Sequence, residues 1–154
     1  MLIDADQPSH CLCKPEVTGS IPVRSIIDRG LVSELDSFFG LYAERYMASD
    51  VDAISAVHEA PLLAIRDGRA IHLADRSAVR EHLGELMAAY AESGAARTEI
   101  AELDVVDLGR SSAFATLHRH VRDADGAMVK DFHTTYHLLR EGESWRILSY
   151  TNHD

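Results

Sequence analysis

Four histidines and an aspartate gather in one stretch near the C-terminal end: His118, His120, Asp131, His133 and His137. Between them lies Asp125-Gly126, a pair that favours a tight hairpin turn. A two-residue turn there would set Ala124 opposite Ala127 and so fix the register of the two strands. His120 then faces Asp131, His118 faces His133, Thr116 faces Thr135, and Phe114 faces His137. Because strand side chains alternate, all of these share one face of the sheet. A carboxylate beside an imidazole orients it, and an imidazole pKa of about 6.5 suits proton transfer at neutral pH. His120 with Asp131 is the candidate base, and His118 with His133 a second proton carrier. The same donor types would also suit zinc or iron.

The opposite face of this hairpin carries Ala115, Leu117, Val121, Phe132, Tyr136 and Leu138, interrupted by Arg119 and Lys130. Two placements compete. Either the polar face looks to solvent and the apolar face to the core, or the histidines line a pocket and the apolar face meets a second subunit.

The elements that must position this hairpin read clearly from residue 32 onward. Ser33 or Asp36 can cap a helix whose stripe is Leu35, Phe38, Phe39, Tyr42, Tyr46 and Met47. Ser49-Asp50 breaks it and caps a short helix through Val57, which Pro61 ends. Leu62 to Arg66, the turn Asp67-Gly68, and Arg69 to Leu73 form a hairpin. A third helix starts at Asp75 to Ser77, packs through Val79, Leu83, Leu86, Met87 and Tyr90, and stops at Ser93-Gly94. Four strands follow: 97–108, 113–123, 128–140 and 144–152. Helices first and long consecutive strands after them argue for one α+β domain.

With 154 residues, 46% of them hydrophobic and 26% charged, the chain suits a single soluble core. A net charge of −10 opposes nucleic-acid binding. No apolar run approaches the roughly 18 residues of a membrane helix, so no membrane partner is expected and the cytoplasm is the default. Cys11 and Cys13 are too close for a good disulfide and, with only His10 nearby, too few for a metal site. Residues 1–30 read as an irregular tail, and 31–154 as the domain. Gly19-Ser20-Ile21-Pro22 can be encoded by a string beginning GGTTCGATCC, the T-arm sequence of transfer-RNA genes. The segment therefore has two readings: an ordinary tail, or translation begun upstream of a true start near Ile27 to Val32.

The order helix, helix, hairpin, helix, four strands resembles the nuclear-transport-factor-2-like superfamily, which includes ketosteroid isomerase, scytalone dehydratase and SnoaL-like cyclases. The segments Tyr42 to Glu59 (YAERYMASDVDAISAVHE) and Glu141 to Asp154 (EGESWRILSYTNHD) carry the likeness. The resemblance implies a cone-shaped, curved, mostly antiparallel sheet capped by three N-terminal helices, with a ligand pocket between them. It also implies a homodimer through the outer sheet face. It places the histidine face inside the cone, making His118, His120, Asp131 and His133 catalytic. Tyr42, Thr116, Thr135, Tyr150 and Asn152 become ligand-binding, Tyr42 at the position of an oxyanion-hole tyrosine. Trp145 and Ile147 would point away from the pocket, and His58, His72 and His82 would have surface roles. Where ketosteroid isomerase has its general-base aspartate this chain has Ile65 or Arg66, and Thr135 replaces a second oxyanion donor, so that enzyme's own mechanism is not carried over. Since most members act without metal, no metal or cofactor is expected. The expected function is a small-molecule pocket protein, acting by His/Asp acid–base chemistry as an isomerase, cyclase or dehydratase. The alternative is a non-catalytic ligand-binding or dimerising domain of the same fold.

Overall fold

A computed structural model describes residues 28–153. The expectations for His10, Cys11, Cys13 and residues 1–27 of the tail fall outside the described residues, while the tail's last two residues, Arg29 and Gly30, already belong to the first helix. Among those described, the order is α1 (Arg29–Met47), α2 (Val51–Ala56), β1 (His58–Arg66), β2 (Arg69–Leu73), α3 (Arg76–Glu92), β3 (Arg97–Asp107), β4 (Ser112–Arg122), β5 (Met128–Glu141) and β6 (Ser144–Asn152).

Aspartates start all three helices, because a carboxylate oxygen can accept from the otherwise unpaired amides of the first turn. Asp28 accepts from Gly30 N at 2.9 Å, Asp50 from Ala53 N at 3.0 Å, and Asp75 from Ala78 N at 2.9 Å. The first helix therefore begins ahead of the expected Ser33 or Asp36. Asp67 and Gly68 both take positive φ, 51° and 66°, the twist that a two-residue hairpin between right-twisted strands needs. Pro61 lies within β1, at a gap in its ladder with β6 between His58 and Leu63. Proline has no amide to donate there, so it interrupts the pairing without ending the strand.

The six strands form one sheet in the order β2-β1-β6-β5-β4-β3. Only the β1–β6 pair is parallel. All three helices cover the same face. The core lies between Leu35, Phe39, Ile54, Val79 and Leu83 of the helices and Leu62, Ala113, Ala115, Leu117, Leu138 and Ile147 of the sheet. No helix of the described residues is long and apolar enough to cross a membrane.

The β4–β5 register matches the expected one: Phe114 with His137, Thr116 with Thr135, His118 with His133, and His120 with Asp131. Its turn is different. Asp123 to Ala127 form a longer loop in which Asp123 Oδ1 accepts from the amides of Asp125 and Ala127. A register shift beside Arg122 absorbs the added length.

Candidate functional site

The packing decides which face of β4 and β5 looks inward. Ala113, Ala115, Leu117, Arg119 and Val121 are buried beneath the helices, as are Thr134, Tyr136 and Leu138. His118, His120, Asp131, His133, Thr116 and Thr135 occupy the other face. This corrects the expected orientation. The helices present Leu35, Phe39 and Leu83, which need an apolar surface to close on, and burying several imidazoles and a carboxylate there would cost far more desolvation.

On that outer face the histidines do come together, as their spacing predicts. His118 Nε2 lies 2.6 Å from Asp131 Oδ1, and His120 Nε2 lies 3.8 Å from Asp131 Oδ2. The tighter partner of Asp131 is thus its diagonal neighbour rather than His120 directly opposite. The contact with His118 holds the Asp131 carboxyl below its usual range. His133 stacks on His118 with ring centres 4.1 Å apart, and Thr116 and Thr135 share a hydrogen bond of 2.8 Å. None of these residues lines the cleft between helices and sheet.

That cleft has a different chemistry. All five tyrosines of the chain line it: Tyr42 and Tyr46 from α1, Tyr90 from α3, Tyr136 from β5 and Tyr150 from β6. Tyr42 and Tyr46 are one helical turn apart, and Tyr136 faces Tyr150 across the ladder. The enclosed space between the side chains is narrow, about 50 Å³, and opens to solvent at its mouth. Burial pushes the Tyr42, Tyr46 and Tyr150 hydroxyls up, and that of Tyr90 to about 12. The phenols therefore stay protonated at neutral pH and can donate hydrogen bonds.

Arg119, 5% exposed, stands among these rings. Its Nε and Nη2 find no hydrogen-bond partner among the described residues. Its guanidinium carbon sits 5.5 Å from the Tyr42 ring centre and 5.9 Å from that of Tyr136. Arg66 and Lys130 also line the cleft, and no aspartate or glutamate does. A cavity with three cations and no acid, inside a chain of charge −10, is built for negative charge.

A second pair reaches the cleft from α3. His82 Nε2 lies 2.6 Å from the Tyr150 hydroxyl. Burial first, then Arg66, lowers the His82 pKa, so its imidazole is neutral at pH 7. Asn152, also in the lining, accepts a 3.0 Å hydrogen bond from the Thr134 hydroxyl.

Tyr42, Tyr150 and Asn152 are therefore in the cleft as expected, while Thr116 and Thr135 are not. Sequence reasoning missed Arg119, Arg66, Lys130, Tyr46, Tyr90, Tyr136 and His82. Arg119 and Lys130 had left a signal, as cations interrupting an apolar strand face. His82 was expected at the surface and is half-buried instead. His58 is a further correction: fully buried, it lies 2.8 Å through Nδ1 from the Ile54 carbonyl. Trp145 and Ile147 are in the core with Tyr150, since a bulge between Ile147 and Ser149 resets the alternation along β6.

The profile of the family described as "NTF2-like protein (DUF6841)" matches residues 33–154. The chain belongs to this NTF2-like family. Solved structures, NTF2-like proteins among them, share its fold. One with a cystatin-like fold from Novosphingobium aromaticivorans matches at a TM-score of 0.62 and 18% identity, over 78% of this chain and 79% of that one. Aln2 from a Streptomyces species matches at 0.64 and 18%, over 80% and 90%. A candidate dehydratase of the NTF2-like family from Streptomyces avermitilis matches at 0.61 and 14%, over 80% and 94%. At these identities the likeness is one of fold. No curated protein matches the sequence. The α+β architecture inferred from the order of elements is thus that of the NTF2-like fold, and the chemistry has to be argued from this chain's own cleft.

Proposed function

We propose that the cleft binds a small, partly aromatic or apolar organic anion and moves a proton on it, in the manner of an isomerase, cyclase or dehydratase. The observation that carries this reading is Arg119: a buried guanidinium with two unpartnered nitrogens, walled by aromatic rings, in a cavity lined by no carboxylate. An unpaired buried charge is costly, and a ligand carboxylate or enolate oxygen would relieve it. The phenol hydroxyls add neutral donors, which favours negative charge on oxygen that develops in the cleft. The tyrosine faces suit an apolar or aromatic ligand body.

Tyr150 and His82 supply the route for the proton. With His82 Nε2 protonated, it donates to the Tyr150 oxygen while the phenol donates to the ligand. In the other tautomer the phenol donates to His82 and its oxygen accepts from the ligand. Passing the phenol proton to the ligand and the Nε2 proton to the phenol oxygen, with Nδ1 taking up a proton from solvent, exchanges the two forms and delivers one proton to the cleft. This pair favours catalysis over simple sequestration. It also replaces the His/Asp pair of the outer face as the acid–base couple.

Matched one-ring probes test the reading. Aromatic carboxylates and their uncharged amides should differ by about 1.5–3 kcal/mol in calorimetric affinity, roughly tenfold or more in favour of the acids. Arg119→Met should erase that difference. Equal binding of acid and amide by the unsubstituted protein would overturn it.

A further inference from the structure

The outer sheet face carries a second group whose spacing has consequences beyond the cleft. His118 and His120 are two apart on β4, so both imidazoles leave the same face while Arg119 turns to the other. Asp131 arrives opposite on β5 and places one carboxylate oxygen beside each ring, at 2.6 and 3.8 Å. Nitrogen and oxygen donors of all three residues lie within 4.8 Å of one another. Zinc bonds of about 2.0–2.1 Å in a tetrahedron set donors about 3.4 Å apart, so small side-chain rotations would close this set on one ion.

We propose that His118, His120 and Asp131 bind a divalent transition-metal ion of the zinc class, with water completing its coordination. Two imidazoles and a carboxylate favour such borderline ions over magnesium or calcium, which prefer all-oxygen shells. The surroundings fit. His133 stacks on His118 at 4.1 Å with the planes 10° apart, and His153 stacks in turn on His133 at 5.9 Å. Such stacking restrains the plane of a ligand ring. Glu102 of β3 pairs with His118 in the ladder and adds negative charge to the same face, while Glu99, opposite His120, is balanced by Arg97 and Arg122. The ligands come from two paired strands, whose spacing is rigid, and not from loops.

The site lies across the sheet from the cleft, so its test is separate from that of the cleft. Metal-free protein is titrated with zinc by calorimetry and with cobalt by visible absorption, which intensifies in tetrahedral coordination. One ion per chain with micromolar or tighter zinc affinity is expected. His118→Ala and Asp131→Asn should each weaken it about tenfold or more, with thermal melts verifying that the variants fold. The more conservative His120→Gln does the same service if an alanine variant fails to fold. Arg119→Met should bind zinc as the parent does. Absence of saturation up to millimolar zinc, or zinc binding unchanged in folded His118→Ala and Asp131→Asn, overturns the proposal.

Discussion

The guanidinium of Arg119 stacks 5.5 Å from the centre of the Tyr42 ring, the one charge on an otherwise apolar inner face of β4. Its cation–π contacts return only part of what burial costs, about 0.5–2 kcal/mol. Arg119→Met should therefore leave the thermal midpoint equal to or above that of the parent while removing affinity for carboxylate probes. A loss of several kcal/mol in urea denaturation would make Arg119 a structural residue instead.

His82 titrates below its ordinary value because it is half-buried and faces the charge of Arg66. Removing that charge with Arg66→Met should raise its pKa partway back, burial still holding it down. Proton NMR of the imidazole reads this directly. An unchanged pKa would mean that Arg66 is screened from it by water.

Stability should fall in mild acid on account of His58. Burial lowers its pKa from 6.5 to about 4, so below pH 6.5 the unfolded chain takes up a proton that the folded chain refuses. The stabilisation is complete above pH 6.5 and is lost as pH falls towards 4. The full effect is about 3 kcal/mol, from roughly 2.5 pKa units at 1.36 kcal/mol each. His58→Leu should flatten this part of the pH profile in urea denaturation. A variant as acid-sensitive as the parent would assign the effect to other groups.

Asp75 caps the helix that carries Leu83 and Tyr90 into the cleft and sets His82 against Tyr150. Asp75→Ala should cost about 0.5–2 kcal/mol, and Asp75→Asn should recover most of it. Denaturation midpoints measure both. Equal midpoints for alanine and parent would show that the cap carries no weight in α3.

Much of this molecule was legible before any coordinates. Asp67-Gly68, Asp75 and Ser93-Gly94 act through local chemistry, so turn and cap residues reported them directly. The β4–β5 ladder was legible too, although its turn was misjudged, because a shift near Arg122 offsets the longer loop. At β6 the same kind of irregularity had the opposite outcome. A bulge beside Leu148 brought Trp145 and Ile147 to the same side as Tyr150, which strict alternation forbids.

The amino-acid order by itself determined most of the elements, the register of β4 with β5 and the gathering of histidines, since these depend on neighbours along the chain or across one turn. Only the tertiary structure decided which side of the sheet the helices would close on. That choice is set by the summed apolar area of residues far apart in sequence, with Leu35, Phe39 and Leu83 meeting Ala113, Ala115 and Leu117. It turned the imidazoles outward and drew five scattered tyrosines around Arg119.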